Sequence, residues 1–283
     1  MEFYKEFIVT AEPFVPDLIS SLIWELEIEG INEEVNCLKV FTSGDSKLNK
    51  NDIAFVLDKL KEQKLLFNYS IEENYYEAKN WNKEWEENLN VIEINDKVVI
   101  RPSNKEAVVK EGQVVITINP KMSFGTGEHA TTKLVIDLIS KYIKPGIKVL
   151  DVGSGTGILA IAAIKLGALS GLGIDNDEWC LVNGLENAKL NDVDVKLKIE
   201  QKEIKDVEEN DFSLVAANIQ KNILVKISED IYKKTIHGAI IILSGLLFTD
   251  EDDVKENYFS AGFSFIETKQ MDEWIAMVFE KRK

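Results

Sequence analysis

The run Lys148–Gly157, KVLDVGSGTG, carries the clearest chemical signal in this sequence. An apolar stretch from Val149 to Val152 leads into Gly153, Gly155 and Gly157, and a second apolar stretch runs from Ile158 to Leu166. This pattern predicts a buried strand, a glycine turn and a helix; glycine lets the backbone turn sharply and lets a ligand approach with no Cβ in the way. The spacing is G-x-G-x-G, unlike the G-x-G-x-x-G of dinucleotide sites, and no G-K-[ST] follows, which excludes a phosphate-binding P-loop. The next apolar run, Ala168 to Ile174, ends at Asp175, 22 residues beyond Gly153. An acid at the end of the second strand can accept hydrogen bonds from both hydroxyls of a ribose. Together the turn and the acid predict a nucleoside-containing cofactor; the plain structural alternative is a turn cluster followed by a helix-capping Asp. Asp151 stands at the head of the turn, where it would repel a pyrophosphate and suit an ammonium. S-adenosylmethionine has a ribose, an amino-acid end and a sulfonium, and no phosphate.

A third strand is predicted over Asp211–Ile219, ending in Asn218 at the carboxyl edge of a sheet, where ligands bind in open α/β folds. Asn218 is placed to touch the cofactor or to position a target amine, unless it merely caps the following helix. Asn218-Ile219-Gln220-Lys221 contains no proline and no aromatic residue to stack a base, which argues against modification of a nucleobase.

These residues need a parallel sheet to hold them. From about Val91 the apolar runs alternate in the β-α-β manner. Lys97–Arg101 and Gln113–Ile118 read as a hairpin with Gly112 near its turn. Phe263–Thr268 and Trp274–Glu280 read as a second hairpin, which puts an antiparallel strand at the end of an otherwise parallel sheet. The first seventy-odd residues form a separate βαββαβ pattern: a strand around Phe7 and Val9, a helix after Pro16 and before Gly30, one or two strands from Val35 to Phe41, a helix capped by Asp52, and a strand through Phe67, Tyr69 and Ile71. Between the two parts, Trp81 and Trp85 lie four residues apart and would share one helical face. The expected division is a module over 1–74, a linker helix over 75–95 and a catalytic domain over 96–283.

Composition narrows the partners. The 283 residues include 33 Lys+Arg against 49 Asp+Glu, a net charge of -16. Such a chain is a poor binder of phosphate backbones; its field favours a basic partner, or serves solubility alone. Arg101 and Arg282 are the only arginines, His129 and His237 the only histidines, so a multi-His metal site is excluded. Cys37 and Cys180 are far apart and are expected to be reduced thiols. The N-terminus lacks the pattern of a signal peptide, and the longest apolar stretch is interrupted by Lys165 and glycines. A cytoplasmic protein, with no membrane or DNA partner and acting as a monomer, is expected.

The D-x-G-x-G-x-G pattern and its following acid resemble motifs I and II of the class I methyltransferases, whose Rossmann-like sheet has a reversed last strand. The stretch Phe124-Gly125-Thr126-Gly127-Glu128-His129-Ala130-Thr131-Thr132 resembles the signature of the PrmA family, which methylates large-subunit ribosomal protein eleven. The resemblance extends to Trp81 and Trp85, to Ile100-Arg101-Pro102-Ser103, to Asn119-Pro120, to Ala217-Asn218-Ile219 and to Glu273-Trp274. It implies a Rossmann-like α/β methyltransferase domain preceded by a small ferredoxin-like α+β domain that docks the substrate. It implies that Thr132, Gly153, Asp175 and Asn218 contact S-adenosylmethionine, and Asp151 and Gly155, at the glycine turn, are expected to join them as cofactor-binding residues. Phe124, Gly125, Thr126 and Gly127 would form a loop over its methionine end. Glu128 and Ala130 stand where the family usually has Thr and Pro, and the segment between the second and third strands of the small domain is short. The implied activity is methylation of lysine side chains and of the N-terminal amine. The alternatives are a cofactor-binding interaction module without activity, or a methyltransferase of another substrate.

Overall fold

The structure is a computed structural model that describes residues 3–77, 89–121 and 123–282. The chain divides into two compact units, Met1–Trp81 and Asn82–Lys283.

The first unit runs β1 (Phe3–Glu12), α1 (Pro16–Ile23), β2 (Gly30–Glu34), β3 (Cys37–Ser43), α2 (Lys50–Glu62) and β4 (Asn68–Glu77). Its sheet order is β2-β3-β1-β4, antiparallel throughout, which is the expected ferredoxin-like arrangement. Alternation sorts each strand: Phe7, Val9, Leu38, Val40 and Ile71 pack on the buried helix positions Ile19, Ile23, Ile53, Leu57 and Leu60. The cap of α2 differs from the sequence expectation. Asn49 is the N-cap and accepts the Asn51 N–H, while Asp52 sits at the third helical position and accepts the Asn49 N–H, a reciprocal capping box.

The expected linker helix over 75–95 lies mostly on residues outside the described ones, Trp81 and Trp85 included. Where its ends are described they are extended: β4 continues to Glu77 and a strand occupies Ile92–Asn95.

The second unit opens with β5 (Ile92–Asn95), β6 (Val98–Arg101) and β7 (Val114–Thr117). The expected β6–β7 hairpin is not formed. β6 pairs antiparallel with β5 and parallel with β7. Asn95 closes the β5–β6 turn, its Oδ1 accepting the Lys97 and Val98 N–H groups, so the long segment from Pro102 to Gln113 acts as a crossover and not as a hairpin loop.

The main sheet follows: α3 (Ala130–Tyr142), β8 (Lys148–Val152), α4 (Ile158–Lys165), β9 (Ser170–Asp175), α5 (Glu178–Leu190), β10 (Leu197–Gln201), β11 (Phe212–Asn218), α6 (Lys221–Lys226), α7 (Ser228–Lys234), β12 (Thr235–Leu247), α8 (Glu251–Ser260), β13 (Phe263–Met271) and β14 (Trp274–Lys281). The strand order is β10-β9-β8-β11-β12-β14-β13. β14 is the reversed strand, antiparallel to both neighbours. It lies one place in from the edge, because the tight β13–β14 hairpin leaves β13 outermost. Successive residues of the central strands face opposite layers: Val149, Leu214 and Ile242 join α3, α4 and α5, while Leu150, Val215 and Ile241 join α6, α7 and α8. Both faces are covered, which is why these strands read as unbroken apolar runs. Strand order reverses between β8 and β11, and the crevice at their carboxyl ends is the expected ligand position. Among the described residues no helix is long and apolar enough to cross a membrane.

Candidate cofactor and methyl-transfer site

At that crevice lies a cleft of about 530 Å³, a size suited to a nucleoside carrying a short chain. Its floor is the glycine turn. Gly153 and Ser154 both donate to the Ile174 carbonyl, at 2.9 and 3.0 Å, which fastens the turn to the end of β9. Gly155 has φ of +52°, and a Cβ there would stand 2.4 Å from the Phe124 carbonyl oxygen. Gly157, at φ +79°, starts α4 in the left-handed region.

Asp175 reaches the cleft wall from the end of β9. Its Oδ2 accepts the Gly155 N–H at 2.9 Å and its Oδ1 accepts the Asp177 N–H at 3.1 Å. An ionised carboxylate accepts about four hydrogen bonds, so each oxygen keeps capacity for one hydroxyl. Asn218 projects from the end of β11 and lines the same cleft. Its Nδ2 donates to Thr131 Oγ1 at 3.1 Å and Thr132 Oγ1 at 3.4 Å. That anchors the amide and leaves Oδ1 without a partner among the described residues. Thr132 itself is fully buried and acts here by holding Asn218.

Asp151 is completely buried and does not line the cleft. One carboxylate oxygen accepts the Ala160 N–H of α4 at 3.1 Å; the other has no partner among the described residues. Burial, with the nearby Asp175 charge adding to it, pushes its pKa up to about 7.

The loop from Phe124 to Gly127 is tied to the glycine turn by Thr156, whose N–H donates to the Phe124 carbonyl at 3.0 Å and whose hydroxyl donates to the Gly125 carbonyl at 2.8 Å. Phe124 is half-exposed and borders the cleft. Thr126 Oγ1 accepts the Glu128 N–H, and a Cβ at Gly127 would stand 2.6 Å from Ile100 Cδ1. His129 caps α3 with its ring nitrogen, bonded to Thr131 Oγ1 at 2.7 Å. Its ring is edge-on to Phe124 at 5.6 Å and to Trp274 at 5.0 Å. Glu128 is exposed, and Ala130 is the first residue of α3.

Half of the cleft was not anticipated. Lys202, Glu203 and Ile204, just past β10, and Ile223, Lys226 and Asp230, on α6 and α7, also line it; the Lys202 N–H donates to the Asp175 carbonyl at 3.1 Å. The usable signal was position alone: every strand's carboxyl end borders the crevice in such a sheet. Cys180 lines the cleft from α5, and burial pushes its thiol pKa up.

The described residues therefore offer, at one cleft, an acid at a strand end, a glycine turn open to close approach and an anchored amide. They fit a cationic nucleoside such as S-adenosylmethionine and do not form a phosphate cradle.

Comparison with known proteins agrees. The family model described as Ribosomal protein L11 methyltransferase (PrmA) matches residues 22–282. The Ribosomal protein L11 methyltransferase of Chlorobaculum tepidum is 40% identical, over 72% of this chain and 72% of that protein. That of Brevibacillus brevis is 33% identical, over 86% and 80% respectively, and that of Caldicellulosiruptor bescii is 32% identical over 99% of each. Among solved structures, the ribosomal protein L11 methylase of Lactobacillus delbrueckii subsp. bulgaricus superposes with a TM-score of 0.64 at 27% identity, over 69% of this chain and 100% of that one.

Proposed function

The chain belongs to the ribosomal protein L11 methyltransferase (PrmA) family, and on that premise we propose that it transfers methyl groups from S-adenosylmethionine to lysine and N-terminal amines of ribosomal protein L11. It is an S-adenosylmethionine-dependent methyltransferase. The observation that carries the site reading is the joining of Asp175 to the Gly155 N–H at the switch point of the sheet, with Asn218 Oδ1 held open on the adjoining strand end. The small unit, residues 1–74 in the sequence division, serves to dock the protein substrate, and a ribosomal substrate implies a cytoplasmic site of action.

The cofactor supplies an electrophilic methyl on a sulfonium. The chain's residues bind, orient and exclude water. Asp175 would take the ribose hydroxyls, the loop from Phe124 to Gly127 would hold the amino-acid end, and Asn218 Oδ1 would accept an N–H of the incoming amine. That contact aims the nitrogen lone pair. A lysine must shed its proton to attack; from a pKa near 10.4 this costs roughly 4–5 kcal/mol at pH 7, and desolvation in the cleft offsets part of it. His129 has its Nδ1 engaged with Thr131 and packs between two rings, which is a structural role. Catalysis then rests on proximity and alignment, with the proton passing to water.

The test is transfer of labelled methyl from S-adenosylmethionine to purified ribosomal protein L11, followed by peptide mapping. Label on amines of L11 is expected. Cofactor binding without label in L11 would favour an inactive interaction module, and label appearing in RNA would favour another substrate.

A further inference from the structure

Helix α5 carries asparagines at 183, 187 and 191, a four-residue spacing that puts them on one stripe, and all three are at least 97% buried. Their amides treat the chain that leaves β7 as a strand would. Asn191 Oδ1 accepts the Thr117 N–H at 2.8 Å and its Nδ2 donates to the Thr117 carbonyl at 2.6 Å. Two residues on, Asn187 Oδ1 accepts the Asn119 N–H at 3.0 Å and its Nδ2 donates to the Asn119 carbonyl at 3.3 Å. Asn183 Nδ2 then donates to the Pro120 carbonyl at 2.5 Å, and proline, with no N–H, requires nothing in return. The ladder thus satisfies a buried edge that has no neighbouring strand.

Asn187 does one thing more. Its Nδ2 also donates to the Thr156 carbonyl and to Asn183 Oδ1, each at 3.1 Å, so that its two hydrogens are shared among three acceptors. Thr156 is the residue that holds the Phe124 and Gly125 carbonyls from the other side. One amide therefore joins the root of the loop, at Asn119, to the glycine turn on which the loop rests. Asn191, of similar burial and bonding, has hydrogen bonds among the described residues only to β7 and to its own helix.

We propose that Asn187 is a positioning residue for cofactor binding: it fixes the spacing between the Phe124–Gly127 loop and the glycine turn, and so sets the affinity for S-adenosylmethionine without touching it. This rests on the cofactor assignment above. Leucine at 187 would leave the Asn119 N–H and the Thr156 carbonyl without partners in a buried site, a penalty that relaxes when the loop moves away.

Calorimetry with S-adenosylmethionine tests it on the full chain. Asn187→Leu should weaken affinity roughly ten- to hundred-fold and raise the cofactor KM with a smaller change in kcat. Amide exchange across 123–127 should quicken. Asn191→Leu should lower the melting temperature comparably and leave affinity within about threefold. Should Asn187→Leu not fold, Asn187→Ser, which lets a water enter, should show the same ordering against Asn191→Ser. Unchanged affinity in a folded Asn187 variant, or equal losses at 187 and 191, would overturn the proposal. Failure of the unaltered protein to bind S-adenosylmethionine would instead remove the cofactor assignment itself.

Discussion

The Gly155 N–H donates to Asp175 Oδ2 across 2.9 Å, so the glycine turn and the acid that ends the next strand form one hydrogen-bonded unit. Each depends on the other. The turn needs an acceptor for the Gly155 N–H, and the carboxylate needs a donor that keeps it oriented. Asp177 N–H fixes the second oxygen. The carboxylate is therefore held in place at the cleft wall before any ligand arrives.

Asp175→Ala should weaken S-adenosylmethionine binding by about 2–3 kcal/mol, or roughly thirty- to 140-fold. It removes a charge-assisted acceptor for two hydroxyls and releases the Gly155 N–H. Isothermal calorimetry measures this directly, and unchanged affinity would refute the assignment of the ribose site.

Gly155→Ala and Gly146→Ala make a matched pair. Both residues have positive φ, +52° and +81°, but a Cβ at 155 meets the Phe124 carbonyl at 2.4 Å while at 146 nothing lies within 4 Å. The second change should cost only about 1 kcal/mol of stability, the left-handed penalty, with cofactor binding intact. The first must push backbone aside and should lower cofactor affinity at least about tenfold as well as melting temperature. Equal behaviour of the two variants would show that the loop and turn are not in contact.

The position of the candidate site was legible because it depends on residue types that few other situations require. Three glycines after an apolar strand, and an acid at the end of the next, identify the turn and Asp175. Asn218 followed from the rule that strand ends face the crevice. The β6–β7 pairing was not legible, since a hydrophobic strand looks the same whether its neighbour runs parallel or antiparallel, and only the β5 partner decides it. The wall formed by Lys202–Ile204 and by α6 and α7 has no distinctive residue type. The α5 asparagines were invisible for a different reason: by periodicity they count as surface polar residues, and only the position of the β7 edge shows that each amide is satisfied inside. Asp151 was read as a partner for an ammonium; the structure places it beneath the turn, outside the cleft lining.

Asp151 makes stability depend on pH. In the unfolded chain its pKa is near 3.9, and burial raises it to about 7 in the fold. The folded state therefore holds an extra proton between these values, so this residue's contribution falls as pH rises from ~4 to ~7 and stays low above that. Asp151→Asn, which keeps an acceptor for the Ala160 N–H, should raise stability at pH 8 by on the order of 2–4 kcal/mol and change little at pH 4. Melting temperatures of the two proteins at both pH values decide it; an equal shift at each would mean that Asp151 does not change ionisation on folding.

Asn218 should separate chemistry from cofactor binding. Its Nδ2 is held by Thr131 and Thr132, its Oδ1 has no partner among the described residues, and the residue lines the cleft. Asn218→Ala should lower kcat by about tenfold or more, the loss expected when a positioned acceptor no longer aims the amine, with a smaller change in S-adenosylmethionine affinity. Asn218→Asp keeps the acceptor but sets a carboxylate against two hydroxyls and adds charge; it should hold a protonated amine too well and shift the activity optimum to higher pH. Single-turnover rates across pH for both variants test this, and an alanine variant with unaltered rate would remove Asn218 from the transfer step.

The net charge of -16 becomes informative once the substrate is a ribosomal protein. If that partner is basic, as proteins that contact RNA backbones must be at the contact, encounter is favoured by long-range attraction that salt screens over about 8 Å at physiological ionic strength. The KM for L11 should then rise several-fold between roughly 50 and 300 mM salt, chiefly through slower association. The KM for S-adenosylmethionine, a small ligand held inside a cleft, should change far less. Initial rates at both salt concentrations, varying one substrate at a time, distinguish the two. A flat response for L11 would confine the acidic surface to solubility and place recognition in contact chemistry alone.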